Sequence, residues 1–226
     1  MLAHELTPRD GQVVRLVGRL NQASSWHIKE LLFRDVSRIS MDRSLSRLVA
    51  GGYLSKVGRR APGPKGGNAP VVYQLGRKGW WHENKAGRYW GRRAMSEHSL
   101  LVADLFTALV LLDKDGNIKL LALEPEYTAG HARADLYVDA GIPAIGRRRM
   151  YYLEVQRSAR PDVIRKKLDA YGLSFRDSSA EVWPYLAFVL VDSYHRSEIA
   201  KQVPQNMREW VRCYLPDQFL TALVEP

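Results

Sequence analysis

The stretch RMYYLEVQRSARPDVIRKKLDAYG, from Arg149 to Gly172, constrains the fold more than any other. It starts as an apolar strand, passes a short polar turn, and continues as a helix opened by Pro161, with basic residues spaced along it. A strand followed by a helix that can cross back over the sheet builds a sheet with a parallel step. The strand carries Glu154 among Tyr151, Tyr152, Leu153 and Val155. A carboxylate in a buried strand costs free energy unless it is compensated. A metal ion, a hydrogen-bond partner or exposure at the strand end would each serve.

The flanking segments fill out the sheet. IKLLALEPEY and ARADLYVD read as strands before it, and PYLAFVLVD as a buried strand after it. SEHSLLVADLFTALVLL reads as a long helix capped by Ser96. SEIAKQVPQNMREWV reads as a helix broken by Pro204, and FLTALVEP as a closing strand. The expectation is a mixed α/β domain over 96–226. Asp135 falls on the second strand and Glu154 on the third. Strands about 4.8 Å apart bring such side chains together. Two carboxylates at that spacing can share one Mg²⁺, with Glu97 at the start of the long helix as a third ligand. Such an ion activates water for phosphodiester hydrolysis. Acidic pairs on neighbouring strands also occur without metal.

The part before residue 80 reads differently. TPRDGQVVRLVGRLNQ opens with Thr7 as cap, Pro8 at the first helical position and Asp10 in the first turn. SSWHIKELLF is a second helix capped by Ser24 or Ser25. SMDRSLSRLVAGGYL is a third, capped by Ser40 and ended by Gly51 and Gly52. If Leu45, Leu48 and Val49 pack inward, then Arg43, Ser44 and Arg47 point outward, as on a helix that enters a major groove. YLSKV and VVYQL then form a hairpin whose tip carries Arg59, Arg60 and Lys65. Three helices and a basic hairpin describe a winged helix-turn-helix over 1–80, with 81–95 as a linker. The indoles of Trp80, Trp81 and Trp90 in that region are expected to pack at a joint.

Charge supports a polyanionic partner. Through Ala94 there are 18 Lys/Arg against 6 Asp/Glu; from Met95 onward there are 16 against 18. The whole excess of +10 therefore lies in the first part, which points to double-stranded DNA. Cys213 is the single cysteine, the opening residues lack a secretory pattern, and the longest apolar tract is broken by Asp104. These features fit a cytoplasmic location and no membrane partner. The histidines lack zinc-ligand spacing, and no phosphate loop ending in Lys-Ser/Thr occurs. Arg147, Arg148 and Arg149 either hold DNA near the acidic pair or solvate a hairpin tip. A homodimer reading repeated DNA sites is compatible with the winged helix, and a self-associating scaffold is a reading without DNA.

ARAD, YYLEVQR and RKKLDAY together resemble the PD-(D/E)xK nuclease pattern, and the whole chain resembles the replication-relaxation family of plasmid and mobile-element proteins. The resemblance implies an α/β architecture in which a winged helix precedes a nuclease-like domain. It makes Asp135 and Glu154 the two acidic residues. Ala134 stands where that pattern has proline, and Gln156 where it has lysine. Lys166 or Lys167 on the following helix is then either a migrated lysine or a surface residue. The expected function is duplex DNA binding with the nuclease-like domain used for assembly. The alternative is a Mg²⁺-dependent endonuclease using Asp135, Glu154, Gln156 and Lys167.

Overall fold

The computed structural model describes residues 6–61, 69–89 and 91–225. The chain is a mixed α/β protein that divides into two compact units, Met1–Thr107 and Ala108–Pro226. The division falls inside one helix, Glu97–Lys114 (α5).

The first unit is built from α1 (Pro8–Leu20), β1 (Ala23–Ser24), α2 (Ser25–Leu32), α3 (Arg38–Ala50), β2 (Leu54–Arg59), β3 (Val71–Leu75), α4 (Arg77–His82) and the start of α5. The helix starts follow local chemistry. The Thr7 hydroxyl accepts from the Asp10 amide, and the Asp10 carboxylate accepts from the Thr7 amide, a reciprocal cap. Ser24 caps α2 in the same way with His27. The third helix starts earlier than expected. Ser37, not Ser40, is its cap, so Arg38 and Ile39 already belong to it. Gly52 at φ +76 ends it, in a conformation open to glycine. Val13, Val17, Leu20, Ile28, Leu45 and Leu48 fill the core beneath a three-stranded antiparallel sheet of order β1-β3-β2.

Residues 91–96 are tied into this unit. Gln22 donates to Ala94 O and accepts from the Ser96 amide, both at 2.8 Å. Gln74 donates to Gly91 O at 2.8 Å and accepts from the Arg93 amide at 3.0 Å. Trp80 rests against Tyr89, while Trp81 is exposed. Trp90 and Lys65 lie outside the described residues.

The second unit holds β4 (Lys119–Ala129), β5 (Ala132–Ile142), β6 (Arg147–Gln156), α6 (Pro161–Asp177), β7 (Tyr185–Leu190), α7 (Ser193–Gln202), β8 (Val211–Tyr214) and α8 (Pro216–Val224). The sheet order is β4-β5-β6-β7-β8. Its first three strands are antiparallel; β6–β7 and β7–β8 are parallel, joined through α6 and α7. One face of the sheet packs against α6 and α7 through Ala134, Tyr152, Leu168, Tyr171, Phe188 and Ile199.

The end of the chain corrects one expectation. FLTALVEP does not form a strand; its residues 219–224 lie in α8, and the last strand is the preceding Val211–Tyr214. Pro216 at the helix start, Asp217 in the first turn, and buried Phe219 and Leu223 four apart explain why. Among the described residues no helix is long and apolar enough to cross a membrane.

Candidate functional site

Glu154 is 1% exposed in the middle of the sheet, and α6 supplies its compensation. Lys167 and Tyr171 stand four residues apart on α6, so they share one helix face. The Lys167 ammonium pairs with Glu154 Oε2. The Tyr171 hydroxyl donates to Oε1 at 2.9 Å. Burial pushes the Glu154 carboxyl up, and the neighbouring charge of Asp135 adds to that. Lys167 and Tyr171 pull against both, and the result is about 7. Burial likewise raises the Tyr171 hydroxyl, with the Glu154 charge adding to it.

Asp135 adjoins the last paired residues of the ladder, Leu136 and Leu153, and lies close enough for its charge to act on Glu154. It is half-buried, and its Oδ2 accepts from the Val155 amide at 2.8 Å, one bond past the last paired residues of the ladder. Gln156 ends β6 half-exposed, on the Glu154 side by alternation. Lys166 is exposed, so Lys167 is the lysine that α6 delivers. The spacing of Lys167 and Tyr171 was visible in the sequence, but their aim at Glu154 depends on where α6 lands.

The two carboxylates are the oxygen donors that a hard divalent cation takes. Both oxygens of Glu154 are engaged, so a cation there requires Lys167 to give up Oε2. Glu97, the expected third ligand, belongs to the first unit, where it lies 3.8 Å from Arg60. Among the described residues no group of three or more His, Cys, Asp or Glu side chains is placed to hold a metal ion.

The residues expected to face DNA divide. Arg43 is exposed on α3 and makes no ion pair with the described residues. Ser44, expected outward, is buried and donates to Asp10 Oδ1 at 2.5 Å. The helix is therefore turned toward α1 at this position. Arg47 is partly exposed, and its Nη2 donates to both Asp10 oxygens, at 2.9 and 2.7 Å. Arg59 is exposed and donates to Ala69 O at 3.0 Å. Arg60 is drawn inward instead. Its Nη1 donates to Asp104 at 2.8 Å, and that same carboxylate oxygen contacts His27 Nε2 at 2.8 Å. Burial raises the Asp104 carboxyl, but the hydrogen bonds from His27 and Arg60 outweigh it and hold the group below its ordinary value.

The arginine run at 147–149 starts β6, at the opposite end of the strand from Glu154. At about 3.3 Å per residue Arg148 and Glu154 are roughly 20 Å apart, so the run does not hold a ligand at the acidic pair. Arg148 instead binds Asp139 with two nitrogens, at 2.8 and 2.5 Å. Arg149 donates to the carbonyls of Ala222, Leu223 and Glu225, which closes the C-terminal end of α8.

No curated protein and no solved structure matches the chain. One protein family, described as replication-relaxation, matches residues 14–182. That span is well over half of the 226 residues and takes in α3, the hairpin, Asp135, Glu154 and Lys167. The chain belongs to the replication-relaxation family.

Proposed function

We propose that the chain is a DNA-binding factor of plasmid or mobile-element replication. The first unit is a winged helix-turn-helix that grips duplex DNA. The second is a PD-(D/E)xK nuclease-like domain that serves assembly. Family membership gives the coarser part, a replication-related role. The observation that carries the finer part is the charge division: 18 basic residues against 6 acidic through Ala94, in a unit whose first three helices are followed by a hairpin. Arg43 and Arg59 lie exposed on α3 and at the end of β2, the elements that reach a groove and a backbone in such folds.

Duplex retention measured by fluorescence anisotropy tests this. Affinity is expected to fall by at least about 10³ between roughly 50 and 200 mM salt, as multiple phosphate contacts require. A protein that holds no duplex at the lower salt sinks the reading.

One observation favours a second reading, a metal-dependent endonuclease. Lys167 pairs with Glu154, and the Asp135 charge acts on the same carboxyl, which brings two carboxylates and an ammonium into one neighbourhood. Asp135 and Glu154 would hold the cation. When bound, it would polarise a phosphate oxygen and lower the pKa of a water. Lys167 supplies the positive charge that Gln156 lacks.

A further inference from the structure

Asp10 does more than cap a helix. Its cap bond to the Thr7 amide uses one oxygen, yet the whole carboxylate is buried, at 1% exposure. Its Oδ1 accepts from the Ser44 hydroxyl at 2.5 Å and from Arg47 Nη2 at 2.9 Å. Its Oδ2 accepts from Arg47 Nη2 at 2.7 Å and from the Thr7 amide at 3.3 Å. Burial raises the carboxyl, but the hydrogen bonds from Ser44, Arg47 and Thr7 win and hold it below its ordinary value. The result is a fixed anion gripped from α1 and α3 together.

Arg47 is the outer member of this cluster. Its side chain is 45% exposed, and only Nη2 is used; Nε and Nη1 make no hydrogen bond to the described residues. A guanidinium anchored through Nη2 to both oxygens of a buried carboxylate has a fixed end, so less freedom is lost when its other donors bind. Its charge is also offset locally. A phosphate brought to Arg47 would meet the Asp10 anion close behind, whereas a neutral base edge would not. Arg43, one helical turn earlier, has the reverse character: exposed, without a carboxylate partner among the described residues, and suited to phosphate.

Resting on the duplex-binding reading, we propose that Asp10 is a positioning residue that presents Arg47 to a base edge in the major groove, so that Arg47 sets sequence preference and Arg43 supplies backbone affinity. Ser44 serves the same arrangement from within, by holding Asp10 rather than by touching DNA.

The test binds wild type, Arg47→Lys, Asp10→Asn and Arg43→Ala to a pool of randomised duplexes, and measures sequence enrichment. Salt dependence is then read on one unselected duplex. Arg47→Lys keeps the charge but loses the planar fork; it is expected to lose about tenfold or more of the enrichment. Asp10→Asn is expected to lose enrichment while holding unselected duplex at least as tightly, because the released guanidinium then reaches phosphate. Arg43→Ala is expected to lower the salt slope by about one and to select the same sequences as wild type. A merely structural bond between α1 and α3 would change melting temperature and leave the selected sequences alone. Arg47→Lys is an exposed change that leaves the core untouched, so the test does not depend on whether Asp10→Asn folds. Wild-type sequence selection by Arg47→Lys overturns the proposal while leaving duplex binding in place. A wild type that retains no duplex overturns both.

Discussion

A single buried carboxylate makes the second unit sensitive to pH. The Glu154 carboxyl rises from an ordinary 4.5 to about 7, chiefly through burial. The folded chain therefore binds more protons than the unfolded chain across that window. By linkage, the contribution of this group to stability falls as pH rises from about 4.5 to 7, by about 3 kcal/mol over the full shift. Urea unfolding of wild type and Glu154→Gln at pH 5 and pH 8 checks this. The difference in stability between the two pH values is expected to shift by about that amount on going to the variant, which has no proton to release. Lys167→Met is expected to act in the opposite sense. It strands a buried anion at pH 8, costing about 3–5 kcal/mol, and costs much less at pH 5, where Glu154 takes up a proton. Equal cost at both pH values would show that the Lys167 contact does not govern Glu154.

At the scale of elements, α4 is set by close approach rather than by propensity. A Cβ at Gly79 would lie 2.1 Å from Tyr53 O, and one at Gly76 would lie 2.4 Å from Gly52 O. The backbone of α4 is thus pressed onto the turn after α3, where the Gly76 amide donates to Tyr53 O at 2.8 Å and the Lys78 amide to Gly52 O at 3.0 Å. Gly79→Ala is expected to cost about 3 kcal/mol, since the clash is with backbone and cannot relax by a rotamer change. Gly11→Ala, inside α1 with open space at its Cβ, is expected to gain about 0.5–1 kcal/mol. Thermal unfolding of the two variants checks both signs. Most elements were legible in this way from local chemistry. Thr7-Pro8 opened α1, Ser24 opened α2, and alternation marked β5 and β6. The third helix was legible in its apolar face but not in its start, because Ser37 and Ser40 both offer a cap hydroxyl. The final helix was misread because Phe219, Leu220, Leu223 and Val224 suit either element. Pro216 and Asp217 decide for a helix only once the preceding Val211–Tyr214 has taken the edge position beside β7.

Over the whole molecule, charge and acidic chemistry are divided between the two units. The basic excess lies before Met95, while Asp135, Glu154 and Lys167 lie in Ala108–Pro226. The assembly reading predicts that supercoiled plasmid stays intact through long incubation with Mg²⁺ or Mn²⁺. Nicking by wild type that is lost in both Asp135→Ala and Glu154→Ala would replace it with the endonuclease reading; gel electrophoresis distinguishes the two. The sequence by itself determined most of the elements, the division of charge, and the strands that carry Asp135 and Glu154, because caps, alternation and composition act over a few residues. Only the tertiary structure decided that Ser44 turns inward, that Asp10 holds Arg47, that Arg60 goes to Asp104, and that Lys167 rather than Lys166 meets Glu154. Those contacts join residues from 13 to 44 positions apart, and nothing local to either partner fixes where two packed elements bring them together.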